Sequence, residues 1–191
     1  MATSRWNGNE SGFSLAETII ATGIMAASIA GLGQLFAVSV MSNRTARNTT
    51  FATVLATQKM EQLRSLTYGF DTLALPLTDT STDLATNPIS PTGGKGLSPS
   101  PTGAIRANTD GYVDYLDVYG KTVGTGGTTI PNGTTYIRRW SIEPLPTNPN
   151  NVIILQVLVT RSLNRGTADA GKVDRLPDEA RLMTVKTRKA T

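Results

Sequence analysis

The chain has 191 residues, with 18 Lys and Arg against 14 Asp and Glu and a formal net charge of +4. It has no Cys and no His, which removes disulfides, thiolate metal sites, thiol nucleophiles, the commonest general base and the usual zinc and iron ligands. What the length allows is one long apolar segment and one small soluble domain of about 120 residues.

Residues 1–12 form a polar leader in which Arg5 is the only basic side chain and Glu10 partly offsets it. The leader ends in the stretch Gly12-Phe13-Ser14-Leu15-Ala16-Glu17. From Thr18 to Asn43 there is no Asp, Glu, Lys or Arg. As a helix this run covers roughly 39 Å, more than the roughly 30 Å of a bilayer's hydrocarbon core. Gly23, Gly31, Gly33, Ser28, Ser39 and Gln34 interrupt it, and Glu17 lies about one turn inside its start. A carboxylate near lipid costs on the order of a few kcal/mol and calls for a partner. A secretory signal fits badly, because its apolar core runs about 7–15 residues and ends at small residues. Here the only plausible processing point precedes the run.

After Met41 the helical pattern continues and becomes one-sided. Phe51, Leu55, Leu63 and Leu66, with Val54 and Met60 beside them, recur at spacings of three, four and multiples of them, while Arg47, Thr50, Lys59, Glu61 and Arg64 are assigned to the other faces. Gly69 supplies a stop. One helix from about Phe13 to Tyr68 is expected, its second half laid on a sheet.

The glycine-phenylalanine junction, the lone Glu17 and the charge-free run together resemble the type IV pilin signature. The stretch Leu55-Ala56-Thr57-Gln58-Lys59-Met60-Glu61-Gln62-Leu63-Arg64 resembles the same helix in minor pilins and minor pseudopilins. This resemblance implies that a prepilin peptidase/N-methyltransferase cuts after Gly12 and methylates the new amino terminus of Phe13. It implies that Glu17 meets the freed amine of its own or a neighbouring copy and sets axial register. The implied partners are other pilins or pseudopilins, met through the N-terminal helices. The implied location is the inner membrane, single-pass, with the C-terminal domain in the periplasm or outside, and then the filament. The apolar half has no proline and the chain has no cysteine pair, which sets it apart from major pilins. A minor pilin of the pilus-modification group is the reading. The alternatives are a minor pseudopilin of a type II secretion system and a DNA-binding competence minor pilin. No enzyme activity, cofactor or metal is expected.

Residues 69–111 are rich in Thr, Ser, Pro and Gly and lack periodicity, which predicts a flexible polar insertion at the surface. Within it, Gly93-Gly94-Lys95-Gly96-Leu97-Ser98 lacks the spacing and flanking elements of a phosphate loop. Strands are expected at Tyr112–Val118, Thr134–Glu143, Val152–Ser162 and Arg181–Arg188. In the second, Tyr136, Trp140 and Ile142 share a face with Arg138 as an exception, while Arg139, Ser141 and Glu143 take the other. Ile153, Leu155, Val157 and Val159 form one face of the third, whose other face is nearly as apolar, so it is expected to be central.

Asp110, Asp114 and Asp117 match no calcium loop and are expected to be solvated edge residues. Arg138-Arg139-Trp140 reads either as arginine stems lying over the helix or as a DNA contact, and the first is preferred. The fold class is α+β, a long N-terminal helix packed on a small antiparallel sheet. Its parts are leader 1–12, apolar half-helix 13–43, amphipathic half-helix 44–68, insertion 69–111 and sheet domain 112–191.

Overall fold

The computed structural model describes residues 12–124, 126–162 and 179–189. The chain divides into two compact units, Met1–Arg44 and Thr45–Thr191, and one helix, α1 (Leu15–Ser65), contributes to both. In the first unit the apolar side chains of α1, from Leu15 through Ile24 and Phe36 to Met41, are exposed. In the second unit α1 buries Ala52, Leu55, Ala56, Lys59, Met60 and Leu63. Those positions recur at three and four residues, so they form one stripe. Phe51 and Leu66 border the stripe, but Val54 faces outward.

Four strands make an antiparallel meander in the order β3-β4-β5-β6. They are β3 (Val113–Leu116), β4 (Tyr136–Pro144), β5 (Val152–Arg161) and β6 (Ala180–Thr187). Trp140 of β4 pairs with Val157 of β5, which pairs with Leu182 of β6. Trp140, Ile142, Leu155, Val157 and Val159 join the helix stripe in one core. On the opposite face Val113, Tyr115 and Ile137 form a second small cluster with Ile130. β4 is therefore buried on both sides, and Arg139 and Ser141, expected on an outer face, are buried as well. β5 is interior to the sheet, as its two apolar faces require.

The end of α1 is held from the sheet. Lys186 of β6 donates to the carbonyls of Leu63 (3.3 Å), Arg64 (2.7 Å) and Leu66. The last carbonyls of a helix have no partner within it, and a cation there also meets the negative end of the helix dipole.

The segment 69–111 departs from expectation. Its start completes a short hairpin, β1 (Tyr68–Phe70) with β2 (Pro76–Thr78). Arg188 braces this hairpin through Gly69 O (3.1 Å) and Thr78 Oγ1 (2.9 Å), and its guanidinium stacks 4.2 Å above the Tyr68 ring. Further along, Leu84, Ala85, Leu97 and Ala104 enter the main core. Periodicity is missing here because turns, irregular backbone pairs and side chains, rather than a regular ladder, satisfy the backbone. Asp79 Oδ1 accepts the N–H groups of Ser81 and Thr82, both at 3.0 Å. The Ser100 amide donates to Ile142 O at 2.9 Å, and its hydroxyl accepts the Ile142 N–H at 3.1 Å.

Gly94 is wedged into this packing: a Cβ there would lie 2.1 Å from the Asp83 Cα and 2.4 Å from the Thr82 carbonyl oxygen. Backbone cannot swing aside as a side chain can, so Gly94→Ala is expected to destabilise the second unit by about 2–4 kcal/mol in denaturant unfolding. A polar segment merely lying on the surface would leave the midpoint unchanged.

Candidate functional site

Gly12, Phe13 and Ser14 precede the helix, which opens at Leu15 rather than Phe13. Ser14 is the reason: its Oγ accepts the Glu17 N–H at 3.2 Å, and its carbonyl accepts the Thr18 N–H at 3.2 Å. Serine is a favoured helix cap, and Ser14-Leu15-Ala16-Glu17 has the Ser-x-x-Glu form of a capping box. This spacing was visible in the sequence. Glu17 thus sits in the first turn, at the helix's positive end. The Gly12–Phe13 peptide lies outside regular structure, Phe13 is 88% exposed, and nothing approaches a Cβ built on Gly12 within 4 Å. The rest of the leader, residues 1–11, lies outside the described residues.

The apolar run handles its own polar groups. Thr22 Oγ1 donates to Thr18 O at 2.8 Å, and Ser28 Oγ donates to Ile24 O at 2.8 Å. Bonded back onto the preceding turn, a hydroxyl carries little cost into lipid. One helix here is long and apolar enough to cross a membrane. The exposed Gly23, Gly31 and Gly33 leave open space along it.

No family model, curated protein or solved structure matches this chain.

Inside the second unit the structure brings together three charges assigned elsewhere. Asp114 is fully buried, with Arg138 donating from Nη2 (2.7 Å) and Nε (2.9 Å) and Lys59 Nζ at 2.9 Å. Arg138 also donates to Leu55 O (3.0 Å) and Gln58 Oε1 (3.3 Å). Lys59 donates in addition to Leu84 O and lies 4.5 Å over the Trp140 ring. Asp114 is therefore an internal counter-ion and not a solvated edge carboxylate, because its side chain faces α1, between Lys59 of the helix and Arg138 of β4. Lys59 is on the core stripe, four residues from both Leu55 and Leu63, a spacing that the assignment to a polar face overlooked. Arg138, the exception on its strand face, was the remaining clue.

Burial pulls the Lys59 ammonium down to about 8, against the opposing pull of Asp114. Burial alone would raise the Asp114 carboxyl, but the Lys59 and Arg138 charges, with their hydrogen bonds, hold it below its ordinary value. The cluster carries two cations for one anion.

The other singled-out residues do not join a site. Asp117 caps a turn through the Tyr119 N–H (2.8 Å) and Lys121 N–H (2.9 Å). Asp110 is exposed. Among the described residues no group of three or more His, Cys, Asp or Glu stands together. Arg138, Arg139 and Trp140 are all buried, and Arg139 Nε donates to Asn108 Oδ1 at 3.0 Å. They present no exposed surface to DNA. In the Gly93–Ser98 stretch Gly94 packs against Asp83 and Leu97 enters the core, while Gly93 and Lys95 are exposed.

Removing the anion strands two buried cations, whereas removing Lys59 leaves a balanced pair. Asp114→Ala is thus expected to cost about 3–5 kcal/mol, and Lys59→Met less than about 2 kcal/mol at neutral pH, in denaturant unfolding of the detergent-solubilised chain.

Below pH 8 Lys59 is charged whether folded or unfolded, so its burial cost applies in full. Between about pH 8 and 10.5 the folded chain sheds that proton before the unfolded chain does. The stability of the wild type relative to Lys59→Met should rise by about 3 kcal/mol across that window. A difference that stays flat with pH would contradict this. The Asp114 contribution has the opposite limit, being lost as pH falls below the ordinary carboxylate range.

Proposed function

We propose that this chain is a minor, pilin-like structural subunit of a type IV filament, made as a precursor and assembled through its N-terminal helix. The carrying observation is the start of α1: an exposed Gly12–Phe13 junction, a Ser14 cap and a single carboxylate, Glu17, opening a helix without another formal charge before Arg44. Its continuation as an amphipathic half laid on an antiparallel meander supports the same reading.

In this reading a prepilin peptidase/N-methyltransferase takes Gly12 as its recognition residue, cuts the Gly12–Phe13 bond and methylates the Phe13 amine. Before assembly the apolar run holds the subunit in the inner membrane with the second unit on the far side. On assembly the run exchanges lipid for the helices of other pilins, where open glycines allow close approach. Trimming supplies Glu17 with a positive partner: the secondary amine at Phe13 is protonated at neutral pH. In a neighbouring copy that amine fixes how far one helix slides along the next. The role is structural, and the chemistry belongs to the processing enzyme.

Incorporation into sheared filaments tests it. A charge pair in an apolar bundle that loses one partner costs about 3–5 kcal/mol, so Glu17→Ala should lower incorporation by more than about tenfold while leaving precursor level in the membrane unchanged. Equal incorporation of wild type and Glu17→Ala would overturn the proposal.

A further inference from the structure

We propose that Gln34 is a pairing residue: within the membrane its side-chain amide joins the Gln34 amide of a second copy of this chain, and the two run side by side as parallel helices. The inference rests on the reading that the apolar run spans a bilayer, and it goes beyond that reading by naming the contact and the partner.

Gln34 is the one carboxamide between Thr18 and Met41. It stands about 5 Å along the axis from the midpoint of the charge-free run Thr18–Asn43. In a hydrocarbon core of roughly 30 Å a run centred there puts this amide about 10 Å from the nearer boundary. The hydroxyls of Thr22 and Ser28 are returned to carbonyls one turn back, at 2.8 Å each. The Gln34 amide is not: it is exposed and has no hydrogen-bond partner among the described residues. Lipid tails offer it neither donor nor acceptor, so its partner has to come from another chain.

The chemistry of the group selects that chain. A carboxamide both donates and accepts, so two of them meeting exchange a reciprocal pair of N–H···O bonds. Copies inserted with one topology carry this amide at one depth. The nearest other polar side chain, Ser39, is about 7.5 Å farther along the axis and on another side of the helix.

The helix surface around Gln34 admits a second backbone. Gly23, Ala27, Ala30, Gly31 and Ala37 lie within about 60° of it round the helix, whereas Met25, Ile29, Leu32 and Phe36 lie on the far side. Nothing stands within 4 Å of a Cβ built on Gly23 or Gly31. Small residues three and four apart let helices approach closely in lipid, and a polar side chain among them supplies the bond across the seam. The bulky side chains are left to face lipid.

The absence of Cys makes single-cysteine labelling unambiguous. The full chain carrying Ser42→Cys, labelled with donor or acceptor fluorophore, is reconstituted in vesicles of phosphatidylcholine and phosphatidylglycerol, and energy transfer is followed as lipid is added. Gln34→Leu and Gln34→Ala should each raise the dissociation constant of the pair roughly tenfold, and Phe36→Leu, on the far side, by less than about twofold. In parallel, a fluorophore on Ile29→Cys should be quenched by lipids bearing a nitroxide in the acyl chain. If 29 is in lipid but the wild type shows no transfer above chance encounter, or either Gln34 variant pairs as the wild type does, this inference is overturned and the spanning helix stands. If 29 is in water, the spanning reading fails and takes the inference with it.

Discussion

A single helix has to satisfy two surroundings with one backbone, and the rest of the molecule follows from that constraint. Within Leu15–Ser65 the amide ladder is closed, so the first half can be apolar on every side without leaving polar groups open to lipid. The hydroxyls of Thr22 and Ser28 fold back into the same ladder. Only the two ends need outside help. Ser14 caps the first turn and Lys186 gathers the last carbonyls. In the second half the apolar surface narrows to one stripe, and the meander exists to cover it.

That cover is fixed in place by charge as well as by shape. Apolar side chains alone would let a helix slide by a turn over a sheet with modest loss. The cluster of Lys59, Asp114 and Arg138 allows no such slip, because Arg138 reaches the helix carbonyl of Leu55 while Lys59 reaches Leu84 in the connecting segment. Helix, strands β3 and β4, and segment 79–105 meet at one buried carboxylate. Buried ion pairs are weak sources of stability, and their better attested use is to specify one arrangement.

Much of this was legible in the residues. The charge-free run, the meander of four strands and the interior place of β5 follow from hydrophobic runs and period-two alternation. The α+β layout follows from their order. What the sequence hid was hidden for physical reasons. Segment 69–111 has no period because turns, irregular backbone pairs and the Asp79 and Asp83 side chains hold its backbone, so burial of Leu84 and Leu97 leaves no repeating mark. Asp114 looked like an edge carboxylate because its partners are 24 and 55 positions away in the chain, and no local rule joins them. Lys59 was legible and misassigned: charge suggested solvent, while its spacing from Leu55 and Leu63 pointed inward. At the candidate site the Ser14 cap was likewise written in the spacing to Glu17. The proposed pairing of Glu17 with another copy lies beyond anything one chain can display.

The account stands or falls on whether the Gly12–Phe13 bond is the processing point that creates a positive partner for Glu17. Intact-mass spectrometry of the full chain co-expressed with a prepilin peptidase tests this directly. The predicted product lacks residues 1–12 and carries one added methyl group on the Phe13 amine. A chain that keeps its full-length mass beside an active peptidase, or is cut at any other bond, would contradict the account.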